Sequence, residues 1–392
     1  MRARQSYENV FLIAMATLKR LFFIILSFTG LCAHAETLRV GPNLALKAPS
    51  DAAEIAKDGD VIEIETGSYP DDSTIWRAGN LTIRGVGEGR VQLPAGRELA
   101  QDKAIWVIKG DDTTVENVEF SGAAVEDRNG AGIRQEGAGL IVRNCYFHHN
   151  ENGILTNSNP QSDILIEYSE FFANGHGDGY SHNIYIGEVN SFTLQFSFSH
   201  GADVGHQVKS RAHTNRILYN RLMDEDDGTS SYIIDLPNGG LSVVVGNVIQ
   251  QGPETDNSTL VSYGAEGSLH DDSKLYIANN TFVNDRHAGV FIKIVPDLDG
   301  NFVINNLFAG RGKLIGTANF IANVETTDPE FVSPENYDYH LRKNSPAIDA
   351  GKDIGKLGSI DLTPTQQYVH PLQSQPRVVQ NRLDAGAYEY TH

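Results

Sequence analysis

The residues able to do chemistry in this 392-residue chain crowd into one stretch, positions 176–235. It opens with His176-Gly177-Asp178-Gly179-Tyr180-Ser181-His182 and continues through Tyr185 to His200, Asp203, His206, Lys209, Arg211 and His213. It closes with Asp224-Glu225-Asp226-Asp227, Tyr232 and Asp235. Five of the thirteen histidines fall between positions 176 and 213, a concentration that calls for a reason. Lysine and arginine hold anions, imidazole and phenol exchange protons, and a carboxylate serves as a base or as the partner of a cation. Asp178 and Asp203, at loop turns, offer the hard oxygen donors that calcium prefers. The histidines lack a compact spacing such as His-Glu-x-x-His, so hydrogen-bonded turn or column histidines are the competing structural explanation.

A repeat is what could bring such residues together. The form apolar-x-Asn-x-x-Phe, or a close variant, recurs at Val115–Phe120, Val142–Phe147, Ile166–Phe171, Leu194–Ser199, Ile217–Leu222, Val244–Ile249, Ile277–Phe282 and Val303–Phe308. Successive copies close 23 to 33 residues apart, too little for a βαβ unit and enough for several short strands. Each repeat also holds a period-two apolar segment: Ala131–Arg134, Gly153–Thr156, Asn183–Ile186, Gln207–Ser210 and Ile233–Leu236. Such a unit cannot bury its apolar side alone, so successive turns must stack. The expected fold is all-β, a right-handed parallel β-helix. Asn117, Asn144, Asn220, Asn247, Asn279, Asn280, Asn305 and Asn306 recur at equivalent or adjacent positions, where stacked amides hold turns. A propeller or a leucine-rich repeat fits less well, for neither a Trp-Asp signature nor a Leu-x-x-Leu-x-Leu frame is present.

Stacking turns spacing into geometry. The segment His182–Tyr185 aligns with His206–Lys209 and then with Tyr232–Asp235. Ile133, Ile154, Ile184, Val208 and Ile234 form the inward column, so Arg134, Leu155, Tyr185, Lys209 and Asp235 face outward as neighbours about 4.8 Å apart. Arg211 shares that face, about 7 Å along the strand from Lys209. Tyr185, Lys209, Arg211 and Asp235 should therefore share one surface patch. Arg134, Tyr180 and Tyr232 are further candidates for ligand contact. A purely structural salt bridge is the other reading of Lys209 and Asp235.

The ends have a different character. Residues 1–35 read as an export signal, with Met15 as an alternative start: Lys19-Arg20, the apolar run Leu21–Leu31, and Ala33-His34-Ala35 as a small-x-small cleavage site. That run is too short to span a membrane, and Leu31 before Cys32 disfavours lipidation. An exported protein, periplasmic or secreted, is expected. Cleavage would remove Arg2, Arg4, Lys19, Arg20 and Glu8, taking the net charge from −19 to −22. An acidic surface of this kind repels nucleic acid and anionic membranes. It would also leave Cys145 with no disulfide partner. Residues 36–322 are assigned to the β-helix, with a helix at 49–57 capped by Ser50 to cover its open end. Residues 323–392 form an irregular carboxyl-terminal segment packing on the solenoid, and a monomer is the expected state.

The phrases Gly59-Asp60-Val61-Ile62, Gly67-Ser68-Tyr69-Pro70, Asp328-Pro329-Glu330-Phe331, Ser345-Pro346-Ala347-Ile348-Asp349-Ala350-Gly351 and Asp384-Ala385-Gly386-Ala387-Tyr388-Glu389-Tyr390 carry a family resemblance. Over roughly residues 36–390 the chain resembles exported bacterial proteins of the pectate-lyase-like β-helix superfamily. The resemblance implies the fold; the superfamily includes lyases, hydrolases, epimerases and non-enzymatic adhesins. Val208-Lys209-Ser210 resembles the valine-lysine-serine strand of the calcium-dependent alginate and chondroitin lyases of polysaccharide lyase family six, which implies Lys209 as the base. Those enzymes place acidic calcium ligands just before this strand and an arginine on the next coil, where this chain has Gly205-His206-Gln207 and Asp235. β-Elimination on an acidic polysaccharide needs a cation for the uronate carboxylate, a base for the C5 proton and an acid for the leaving oxygen. Lys209, Arg211, Tyr185, His182 and His206 have the right chemistry, Ca²⁺ is the one cofactor suggested, and no organic cofactor is expected. Two alternatives stand beside it. One is a glycoside hydrolase using a pair among Asp178, Asp203, Asp226, Asp227 and Asp235, or a uronate epimerase. The other is a non-catalytic glycan binder stacking Tyr180, Tyr185, Tyr232 and Tyr263 on sugar rings.

Overall fold

The computed structural model describes residues 35–267 and 269–391; the export signal read over 1–35 lies outside the described residues but for Ala35. Each coil contributes three short strands. In one coil these are Val208–Ser210, Thr214–Leu218 and Arg221–Met223, and Ile234–Leu236 opens the next. Every strand pairs in parallel with its counterpart one coil on: Val208 with Ile234, Thr214 with Leu241, Arg221 with Val248. Three ladders result. The first runs from Thr37–Val40 to Asn319–Ile321, and the third from Thr74–Trp76 to Lys313–Ile315. The second ends at Val324–Thr326, so coil pairing continues slightly past Ala322, where the sequence pattern changes.

The inward columns supply the core. Trp76, Trp106, Phe120, Phe147 and Phe171 are fully buried in one continuous row, with ring centroids 4.8 to 5.3 Å apart. The two tryptophans and Phe120 meet edge to face, and Phe120, Phe147 and Phe171 stack face to face one coil upon the next, so each coil is buried by its neighbour. The corner between the first two ladders explains the recurring asparagine, whose adjacent positions form two distinct columns. Asn117, Asn144, Asn279 and Asn305 take left-handed backbone angles, φ of 51 to 61°, a conformation asparagine tolerates better than most residues. The following position, Asn220, Asn247, Asn280 and Asn306, is buried. There each side-chain amide donates to the next one's Oδ1, at 2.9 to 3.0 Å.

Outward faces decide what covers the solenoid. Early in the first ladder charges alternate: Glu63 with Arg84, and Glu116 with Arg143 and Glu167. In later coils the same face turns apolar, with Val243, Val245, Tyr276 and Ala278, and the carboxyl-terminal segment covers it with Ile354, Leu357, Ile360 and Leu362. The second ladder's Val248, Val283 and Leu307 are covered by Phe331, Tyr339, Leu341 and Tyr388. Arg377, fully buried, pins this segment: it bonds Glu389 Oε1 at 2.6 Å and the carbonyls of Asp384 and Gly386. At the other end the capping helix spans Pro49–Ile55 and its N-cap is Ala48, not Ser50. Pro49 starts the helix instead, and Asp51 reaches back to accept the N–H groups of Lys47 and Ala48.

Candidate active site

The third ladder puts Tyr185, Lys209 and Asp235 side by side on successive coils. Their neighbours Ile184, Val208 and Ile234 point inward and are fully buried, which turns the column between them outward. Outward does not mean exposed here. Asp235 is 3% exposed, with His206 Nε2 and Lys209 Nζ within 3.7 Å of its Oδ2.

The geometry around Lys209 is tight. Its Nζ lies 3.5 Å from Asp235 Oδ2 and 3.4 Å from Glu266 Oε1, and 5.6 Å above the centre of the Tyr185 ring. Arg211 donates from Nε to the Tyr185 phenol oxygen at 3.2 Å and from Nη1 to Asn238 Oδ1 at 2.7 Å. It also pairs with Glu266 Oε2 at 2.7 Å. Asn238 is itself held by Glu188, and His270 Nε2 lies 3.1 Å from the Arg211 carbonyl oxygen. Burial pushes the Asp235 carboxyl up, opposed by Lys209 beside it. The hydrogen bond from Arg211 holds Glu266 below the usual carboxylate range. Burial works against the Arg211 charge, but Glu266 and Tyr185 outweigh it and hold its pKa above the usual value.

The two column histidines have fixed tautomers. His182 Nδ1 accepts the N–H of His206 at 3.0 Å, and His206 Nδ1 accepts the N–H of Tyr232 at 3.2 Å. Each ring therefore carries its proton on Nε2. The rings stack at 4.4 Å, and His206 Nε2 sits 3.7 Å from Asp235 Oδ2. Burial, with Lys209 adding to it, pushes His206 down to about 3, and burial holds His182 well below the usual range. Both are neutral donors at ordinary pH, which removes them as charged acids for a leaving group.

The rest of the histidine-rich stretch disperses. His200 lies on the second ladder between Glu170 and Glu225, His213 pairs with Asp272, and His176 lies 3.6 Å from Glu151. Arg134 shares the ladder but is two coils from Tyr185, beyond Leu155, and bonds Asn157. Tyr180 is 84% exposed, in the connection leading to the third ladder, and its N–H is held by Asp178. Tyr232 packs its ring 5.1 Å from His206. Tyr263 faces inward, fully buried, and donates to the Gly240 carbonyl, so it leaves the set of sugar-stacking candidates. The acidic run 224–227 is only half a solvated turn, since Asp224 is buried against Ser230. Asp178 and Asp203, read from the sequence as calcium ligands, lie in the connections that lead to Ile184–Ile186 and Val208–Ser210. Among the described residues no three His, Cys, Asp or Glu side chains gather as a metal site. Asp203 instead lies 3.5 Å from Thr229 Oγ1. A cavity of 660 Å³ lies elsewhere, between the first ladder and the carboxyl-terminal segment around Asn279, Asn305, Lys352 and Arg382.

Glu266, Asn238 and His270 are the residues that the sequence alignment misses. Glu266 and His270 belong to the ten-residue connection 264–273, where the preceding coil uses only 237–240. The sequence held a trace of it: the longest step between repeats, 33 residues, spans this insertion.

A family described as a right handed beta helix region matches residues 70–255, a span that includes Lys209, Arg211 and Asp235. The crystal structure of pectate lyase Pel9A superposes with a TM-score of 0.62 at 13% identity, covering 91% of this chain and 96% of that one. This is a right-handed parallel β-helix. The β-helix is also similar, with a TM-score of 0.39 and 12% identity, to pectin methylesterase PemA from Erwinia chrysanthemi, over 60% of this chain and 91% of that one. No curated protein matches the β-helix in sequence.

Proposed function

We propose that this β-helix is an exported lyase that cleaves a uronate-containing polysaccharide by β-elimination. The observation that carries the proposal is the convergence of an ammonium, a guanidinium and a phenol, Lys209, Arg211 and Tyr185, on one outward patch of an acidic protein. Arg211, braced by Tyr185 and Asn238, binds the uronate carboxylate and stabilises the charge that grows on it as C5 loses its proton. Lys209, as the free amine, takes that proton; a double bond forms between C4 and C5 as the bond from C4 to the glycosidic oxygen breaks. Tyr185 gives its phenolic proton to the leaving oxygen, and Arg211 steadies the phenolate that results. Asp235 is the positioning residue that holds the Lys209 side chain between coils. The neutral His206 Nε2–H adds a donor at the edge of the patch. No step uses calcium.

The unsaturated uronyl end of each product absorbs in the near ultraviolet. Incubation with a panel of galacturonate, mannuronate, guluronate and glucuronate polymers should raise that absorbance in step with new reducing ends. New ends without absorbance would sink the proposal in favour of hydrolysis.

A further inference from the structure

Glu266 is oddly placed for a residue of a polyanion-binding site. Its two carboxylate oxygens divide between the two cations of the patch, Oε2 on Arg211 at 2.7 Å and Oε1 on Lys209 at 3.4 Å. With Asp235 it leaves the patch balanced, two cations against two carboxylates, inside a protein of net charge −19. An incoming uronate would find no free positive charge there.

Its anchorage is asymmetric. The backbone is fixed to the coil before: Gly264 N–H to the Leu236 carbonyl, Glu266 N–H to the Pro237 carbonyl, and His270 N–H to the Asn238 carbonyl. Gly264 and Gly267, at φ of +73 and +78°, make the turn that carries the chain back over the ladder. The side chain is different. It is 46% exposed, and its only described hydrogen bonds and ion pairs are to Lys209 and Arg211. Rotation about its own bonds releases the carboxylate to water without disturbing the backbone, whereas Arg211 stays aimed by Tyr185 and Asn238.

We propose that Glu266 is a built-in stand-in for the substrate's carboxylate: it fills the uronate subsite in the free protein and is exchanged for the sugar carboxylate on binding. The inference rests on the uronate reading of the site above and deepens it by fixing which atoms receive the carboxylate. It assigns a specificity function to the insertion that lengthens this coil. Exchange of one carboxylate for another keeps Arg211 paired throughout, so that cation is not left bare beside the core, and removing Glu266 from Lys209 favours the free amine that takes the C5 proton. A neutral sugar cannot make that exchange, so Glu266 discriminates against it.

The test is calorimetric titration of wild type and Glu266→Gln with trimers of galacturonate, mannuronate and guluronate, each beside its methyl ester. Removing a competitor held by two partly exposed ion pairs should tighten at least one acidic trimer on the order of tenfold at low salt. The gain should shrink with added salt and be absent for the esters. Glu266→Ala should reproduce it, with unchanged melting temperature confirming the fold. Equal or weaker affinity in both variants, an equal gain for the esters, or no trimer binding to any form overturns the proposal. Its fate is separable from that of the lyase reading. Tighter acidic binding without unsaturated product refutes elimination alone; unsaturated product from wild type with no gain in the variants refutes the stand-in alone.

Discussion

Single side chains in the patch have distinct expected signatures. Lys209→Ala should lower kcat by at least about 10³ with little change in fold, since a general base contributes roughly 10² to 10⁴ and the ammonium also orders the patch. Unchanged turnover in a folded Lys209→Ala protein would place the chemistry elsewhere. Tyr185→Phe keeps the ring beneath Lys209 and removes the proton donor, so kcat should fall by about 10² while KM moves little. A protonation effect belongs to this scale too. Burial depresses the folded-state pKa of His206 to about 3, so the unfolded chain binds the proton more readily. Its contribution is fully present above about pH 6.5, the ordinary histidine value, and is lost as pH falls toward 3. Urea unfolding at pH 7 and pH 4 should therefore show a smaller acid loss in His206→Gln than in wild type, by up to about 3 kcal/mol. His200 has the opposite sign. Burial lowers its pKa, but hydrogen bonds to Glu170 and Glu225 prevail and raise it, so its stabilisation is present below about pH 6.5 and fades as pH rises.

At the scale of the element, the corner ladder is the feature with most at stake. Asn247 accepts the N–H and side-chain amide of Asn220 and donates to the Ile217 carbonyl and to Asn280 Oδ1, all within the core. Asn247→Ala strands several buried polar groups at once, and about 3 kcal/mol of destabilisation is expected from equilibrium denaturation. Asn144, in the exposed left-handed corner, should cost about 1 kcal/mol when changed to alanine, because backbone strain replaces orphaned hydrogen bonds. If the two substitutions cost the same, the distinction between the columns fails.

The whole molecule depends on its carboxyl-terminal wrap. The late coils turn apolar faces outward on two ladders, and residues from Phe331 to Tyr388 cover them. Arg377 bonds Glu389 and two carbonyls out of contact with water, so Arg377→Ala leaves Glu389 as an uncompensated buried charge. About 3 to 5 kcal/mol should be lost. Arg377→Ala with Glu389→Gln should recover part of it, and thermal melts of the two proteins decide the matter. The alternating charges of the early coils are partly exposed and should matter far less, about 0.5 kcal/mol per pair.

The sequence by itself determined the coil. Stacking forces inward positions to be apolar at a fixed phase, so the spacing of Ile184, Val208 and Ile234 is enough to place Tyr185, Lys209 and Asp235 in one column. Only tertiary structure could decide what lies over that column. Connections between strands carry no periodic signal, and the 264–273 insertion showed itself merely as one long step between repeats. It brings Glu266 onto Lys209 and Arg211, 57 and 55 positions away, because backbone bonds to the preceding coil set where it folds. Histidines close in sequence likewise part company. One coil passes three ladders, so His200 and His206 face different sides of the molecule while His182 and His206, a full coil apart, stack ring on ring.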